Sequence, residues 1–175
     1  MKTISLLFIL SFFSFMSCSE NQDKIVTMIF EGEKVIIDSL PAGGTVIAKS
    51  EHVFYNVHVD PEYGDLKNEQ IASEKKEVII YELKQDATFS KMFNSLNDDL
   101  DKLCLTQSQI VDFCQKNYKY LHQDGVTFFL FKENEEFFVA KIAVRFGRKS
   151  IMVDRFDNDF VFKAEHGIYL VVPAT

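Results

Sequence analysis

The segment from Val126 to Phe146 constrains this fold more than any other part of the chain. Val126–Lys132 reads Val-Thr-Phe-Phe-Leu-Phe-Lys, apolar at almost every position. A strand can be apolar on consecutive positions only if both of its faces are covered, so this is expected to be a central strand. Glu133-Asn134-Glu135 makes a turn. Phe138, Ala140, Ile142, Val144 and Phe146 then recur at every second position, which is one face of a long strand. Gly147-Arg148 turns into Ser150–Phe156, and Asp157-Asn158-Asp159 turns into Phe160–Ala164. Glu165–Gly167 leads to a last strand, Ile168–Val172. The expected arrangement is an antiparallel meander.

Upstream the period changes. Phe89, Met92, Phe93, Leu96, Leu100 and Leu103 recur at steps of three and four, an apolar helical stripe with an interruption near Asn97. Thr106 suits an N-cap, and Gln109 three residues on completes a capping-box pattern. The buried stripe of that second helix is expected at Ile110, Val111, Cys114, Tyr118 and Leu121, with Gly125 as a stop. Before the helices come short β-branched runs. Lys24–Phe30 and Lys34–Asp38 flank Glu31-Gly32-Glu33 and read as a hairpin. Pro41–Gly44 is a turn before a short strand at Thr45–Ala48. Val53, Tyr55, Val57 and Val59 share one face of another strand, and Glu77–Leu83 is a further one after a polar loop over 60–76. Strands, then two helices, then strands argue for an α+β fold with antiparallel pairing. The parts are a leader (1–17), a tether (18–23), a β-rich half (24–84) and a helix-helix-meander half (85–175), the two halves sharing one domain.

The first 18 residues carry an address. Met1-Lys2 is a minimal positive start, and Ile4–Met16 is an apolar run of signal-peptide length, too short to span a bilayer, which takes roughly 20 residues. The run ends at Phe15-Met16-Ser17-Cys18 and turns polar at Glu20. This resembles a bacterial lipoprotein signal, with a small residue before the Cys and Phe15 where that family usually has Leu. The resemblance implies export, cleavage after Ser17, a lipid on Cys18 and a position on the extracytoplasmic side of the cell envelope. Ser17-x-Ser19 also fits ordinary cleavage and soluble secretion.

Removing Met1–Ser17 takes away one lysine and leaves 18 basic against 26 acidic residues. That balance argues against nucleic-acid partners. It also repels anionic head groups, so the lipid on Cys18 is expected to be the main membrane contact. Fourteen of the 18 Phe lie beyond the leader and there is no Trp, so the core is built from Phe, Ile, Val and Leu.

The segment from about 77 to 173 also resembles a group of uncharacterised short proteins of candidate-phylum bacteria. The likeness is carried by Asp101-Lys102-Leu103-Cys104-Leu105-Thr106-Gln107, by Thr127-Phe128-Phe129-Leu130-Phe131-Lys132 with Glu136-Phe137-Phe138-Val139-Ala140, and by Arg155-Phe156 and Val171-Val172-Pro173. Those proteins often have Trp at the position of Phe162. The shared positions are apolar, so the resemblance implies a common core and assigns no site.

Candidate chemistry is sparse. Cys104 and Cys114 are a candidate disulfide, as in many exported chains. Cys114, however, would lie about 12 Å along the second helix from its start, so the Cys104 segment would have to fold back beside it. Buried free thiols are the alternative. His52, His58, His122 and His166 form no paired metal spacing, and His58 with Asp60 and Asp65 is better read as a solvated strand histidine. Asp154, Asp157 and Asp159 are a weak calcium candidate without the glycine or spacing of an EF-hand, and ordinary turn chemistry accounts for them. Gly147-Arg148-Lys149-Ser150 joins two strands and so lacks phosphate-loop geometry. Asp98, Asp99 and Asp101 read as a solvated face. No cofactor is implied. The function expected is a non-catalytic binding or scaffolding domain tethered to the envelope, with an envelope protein as a candidate partner. The alternatives are an envelope hydrolase built from His and Asp residues, and a soluble secreted binder of a small ligand.

Overall fold

A computed structural model describes residues 24–60, 63 and 71–174. The leader, Cys18, the tether and Asp65 lie outside the described residues. The described chain is α+β, and a single sheet runs through both halves. Its strands are β1 (Val26–Ile29), β2 (Val35–Ile37), β3 (Asn56–His58), β4 (Lys76–Leu83), β5 (Val126–Glu133), β6 (Glu136–Arg145), β7 (Arg148–Arg155) and β8 (Ile168–Pro173). The order across the sheet is β1-β4-β8-β5-β6-β7-β3, with β2 also on β4. Two helices, α1 (Phe89–Asn94) and α2 (Gln107–Lys116), join β4 to β5. Among the described residues no helix is long and apolar enough to cross a membrane.

The sheet is mixed, which corrects the antiparallel expectation. β5-β6-β7 is a meander, but β8 returns to lie parallel to β5, and β3 is parallel to β7. The expected strand at Phe160–Ala164 is instead a loop. It is pinned by the isolated bridge Ala87↔Phe162 and ends in a 3-10 turn at Ala164–His166. The loop carries β8 back across the sheet to lie between β5, to which it is parallel, and β4, to which it is antiparallel. Nor do β1 and β2 form a hairpin. Both pair with β4, Val26 with Leu83 and Val35 with Val78, so they are one edge strand broken by an excursion at Phe30–Lys34. Thr45–Ala48 is not a strand either; Ile47–Lys49 is a 3-10 turn.

Two hydrophobic clusters follow from the pleat, one on each face of the sheet. One face carries Ile80, Val171, Phe129, Phe131, Ala140, Ile142, Ile151 and Val153, covered by Ile110, Val111, Phe113 and Cys114 of α2. The other carries Leu83, Leu170, Val172, Phe128, Leu130 and Val139, covered by Phe89, Met92 and Phe93 of α1 and by Leu103. Phe89, Phe128 and Phe162 pack as an aromatic trio with centroids 4.6–5.2 Å apart, Phe128 edge-on to the other two rings. Such pairs contribute about 0.5–1.5 kcal/mol each beyond area burial.

The start of α2 follows the capping box read from the sequence. Thr106 Oγ1 accepts from Gln109 N at 3.2 Å, and Thr106 N donates to Gln109 Oε1 at 3.0 Å. The period did not show that this polar turn is buried. Gln107 Oε1 accepts from Ile47 N, Ser108 Oγ donates to Thr45 O, and Gln109 Nε2 donates to Glu74 O. These side chains clamp the loop after β2, and the segment before β4, onto the helix. The helix ends at Lys116, so Tyr118 leaves the expected stripe for the surface, whereas Leu121 stays buried.

Candidate functional site

The burial of β6 locates the site. Along Phe138–Ala140 both faces are covered, but from Lys141 onward only alternate residues are buried. On the α1 face the cover stops there. Lys141, Ala143, Ser150 and Met152 therefore form an uncovered floor on β6 and β7, continued by Asn56 and His58 of β3. Register fixes this floor as two rows. One runs Ile168, Val126, Ala143, Ser150, Asn56; the other runs Phe128, Lys141, Met152, His58. At about 4.8 Å between strands, the longer row spans roughly 19 Å.

One wall stands on this floor. The 160–167 loop brings Phe162 and His166 to its edge, and the result is an open groove of about 270 Å³ with a mainly apolar lining. The wall is tied to the start of α1. Ala87 and Phe162 exchange backbone hydrogen bonds of 3.1 and 2.9 Å, Lys163 Nζ donates to Asp86 at 2.7 Å and Ala164 N donates to Asp86 at 3.0 Å. Those two donors, the lysine first, hold the Asp86 carboxyl below the usual carboxylate range. Met152 is 42 % exposed, and Phe160 and Val161 beside the wall are 62 % and 47 % exposed. In the floor, Lys141 forms an ion pair with Asp154 on the neighbouring strand, and both side chains are largely buried.

The groove accounts for only part of the candidate list. His58 and His166 stand on its rim, on opposite sides. Glu165 approaches His166 Nε2 only to 4.0 Å, with both side chains exposed. Among the described residues neither histidine hydrogen-bonds Ser150, and the groove lining contains no carboxylate. Asp154 is held by Lys141, while Asp157 and Asp159 lie exposed in the turn after β7. The three do not converge, and the described residues contain no group of three or more His, Cys, Asp or Glu able to hold a metal ion. Asp101 pairs with Lys132 and Asp99 with Lys102.

Cys104 and Cys114 are free thiols that pack into the two different clusters, on opposite faces of the sheet. Burial first, then the Asp101 carboxylate, pushes the Cys104 thiol up to about 12. Burial alone pushes Cys114 up, against the pull of Lys149. Neither is a nucleophile at neutral pH. His122 sits elsewhere, where β5 and β8 begin side by side, with its ring 4.5 Å from that of Tyr169 and its Nδ1 buried without a hydrogen-bond partner among the described residues.

The groove was missed in the sequence, although a signal for it exists. Phe137-Phe138-Val139-Ala140 is continuously apolar, and on the same face as Val139 the next residues are the charged Lys141, the small Ala143 and the charged Arg145. That change of texture inside one strand marks where cover on one face ends. Comparison of the chain with protein-family models, with curated proteins and with solved structures finds no match.

Proposed function

We propose that this chain is a non-catalytic binding module of the bacterial envelope, held to a membrane by a lipid on Cys18, and that it takes an acyl chain or similar apolar body in the groove. The observation that supports it is the uncovered half of one sheet face. A sheet that buries two clusters elsewhere leaves an apolar floor here, with polar ends at Asn56, His58, Ser150 and His166. A volume of about 270 Å³ is at the small end for ligand pockets, which suits one narrow apolar ligand. The hydrolase alternative is weakened by the groove's two separated histidines and, among the described residues, by a lining without a carboxylate.

Two measurements test the two parts. The mass of the N-terminal peptide from membrane and soluble fractions reads the anchor, where a diacylated or triacylated Cys18 is expected and an unmodified start at Glu20 would remove it. For the groove, the absence of Trp makes Met152→Trp a sole reporter in the floor. Its emission is expected to shift to the blue, saturably, with a medium-chain fatty acid, and Ala143→Glu is expected to abolish that shift. No shift, or one that survives Ala143→Glu, would refute the groove as the site.

A further inference from the structure

We propose that the tip of the β6–β7 hairpin is a second, protein-borne membrane contact, a wedge for an anionic phospholipid surface. The proposal does not rest on acylation of Cys18 or on the groove.

Arg145 pairs with Arg148, so the connection is the two-residue turn Phe146-Gly147, with φ of +50° and +74°. A turn of this kind needs positive φ at both central residues, and it selects Asn, Asp or Gly. The β5–β6 hairpin of the same sheet follows the rule at its first turn position, with Asn134 at φ +50°, and departs from it at the second with a polar, exposed Glu135 at φ +64°. The β6–β7 hairpin breaks the rule with Phe146, which is fully exposed at 103 %. This phenylalanine strains the backbone and buries nothing in the fold. Alternation along β6 had placed it with the buried face. The strand instead ends at Arg145, because the turn occupies the next two positions. Backbone strain at an exposed apolar residue is an observation that folding does not explain and an external partner does.

The neighbours of Phe146 identify the partner. The chain is acidic, with a net charge of -7, yet Arg145–Lys149 holds three cations and no acid. Lys149 turns inward, its Nζ donating to Cys114 O at 2.6 Å. Arg145 and Arg148 remain exposed, and among the described residues neither pairs with a carboxylate. Arg148 lies over Tyr55 at 4.6 Å, and Tyr55 is itself 73 % exposed. Aromatic rings set between guanidinium groups match the boundary between acyl chains and phosphates. There the rings enter the apolar side and arginine takes phosphate oxygens in a fork.

Position agrees. Val26 is level with Leu83, and the ladder carries that row through Ile168, Val126 and Ala143. Arg145 lies two residues beyond Ala143, so the tip projects from the end of the sheet at which β1 begins. The local cations thus reverse, at one point, the repulsion expected from net charge.

The test is co-sedimentation of the unacylated chain (Cys18→Ser, leader absent) with vesicles of phosphatidylcholine alone or mixed with phosphatidylglycerol. Binding is expected only to the mixed vesicles and is expected to fall with added salt, as screening shortens the reach of the charges. Arg145→Gln and Arg148→Gln should each weaken partitioning about fivefold, and Phe146→Asn about tenfold. Because Asn tolerates the turn, Phe146→Asn should raise the urea midpoint while weakening the vesicles' hold. Equal behaviour on both vesicle types, unchanged binding by Phe146→Asn, or a lower midpoint for that variant would each overturn the proposal. So would capture of the tip by a protein in the absence of vesicle binding.

Discussion

Gly125 and Gly167 stand where β5 and β8 begin side by side, and their replacement by alanine separates two kinds of cost. Val126 N donates to Gly167 O at 3.0 Å, the first bond of the parallel pair. A Cβ on Gly125 would overlap that same carbonyl oxygen and lie 2.8 Å from His122 Nδ1. The carbonyl belongs to the ladder and cannot yield without opening it. Gly125→Ala is therefore expected to cost about 3 kcal/mol, the upper end of overpacking penalties. At Gly167 the obstacle is different. Its Cβ would overlap the His122 imidazole, and its φ is +65°. The backbone part costs about 1–2 kcal/mol, and the steric part about 1–2 kcal/mol more. Only the steric part disappears in a His122→Ala background. A double-mutant cycle on Gly167→Ala and His122→Ala should thus return a coupling of about 1–2 kcal/mol, measured from urea unfolding followed by far-UV circular dichroism at constant m. Equal costs of Gly167→Ala in the two backgrounds would refute the assignment of His122 as the obstacle. A Gly125→Ala protein within about 0.5 kcal/mol of wild type would refute the account of the ladder.

Four further outcomes follow from contacts already described. Gln109→Ala removes a reciprocal cap and leaves Glu74 O without its buried donor, so unfolding by urea should show a loss of about 2 kcal/mol. Both thiols are held protonated, Cys114 fully buried and Cys104 partly, so iodoacetamide at pH 8 should label Cys114 only at the rate of unfolding and Cys104 more slowly than a free thiol; fast labelling of Cys114 in native protein would contradict its burial. The sign for stability is fixed by the same shift: the folded Cys104 thiol titrates above its unfolded value of 9.0, so its contribution is complete below pH 9 and is lost as pH rises towards about 12. Lys141→Met leaves Asp154, largely buried beside the groove, without its cation and should cost about 2 kcal/mol, whereas Lys141→Met with Asp154→Leu should recover most of it; equal losses in the single and double variants, read by thermal unfolding, would contradict the pairing.

The elements that were legible in the sequence are those whose pattern is set locally. The Thr106–Gln109 box and the nearly all-apolar β5 depend on neighbours a few residues away and were readable from spacing, and the interruption expected near Asn97 comes three residues earlier, after Asn94. Pairing is a different matter. Whether Val26–Ile29 pairs with Val35–Ile37 or with Leu83 is decided by which edge is free, and both choices have the same alternation. The Glu31-Gly32-Glu33 turn signal favoured the nearer partner. The long excursion of Phe160–Ala164 failed for a related reason: its apolar residues serve one aromatic trio and a bridge to Ala87, which copies the composition of a strand without a ladder.

Exposure of an apolar residue is the hardest property to read, because sequence shows the period and not the cover. Phe138, Ala140, Ile142 and Val144 obey one alternation, and Phe146 continues it in the sequence, yet Phe146 is the one that leaves the core. The deciding fact is the register Arg145↔Arg148, which puts Phe146 in a turn whose φ values would normally call for Asn or Gly. The same strand also carries the start of the groove at Lys141. There the partner side chain is Asp154 and the cover from α1 has ended. A helix reaching further over β6 would take the Lys141–Asp154 pair fully out of water, and the desolvation of two charges can exceed what their pairing returns. The short α1, six residues long, and the charged residue at Lys141 are thus two expressions of one arrangement. The sequence stops being apolar on both faces of β6 where the chain stops supplying an element to cover it. The open floor is written into β6 itself, and extending α1 without changing Lys141 and Asp154 would not close it.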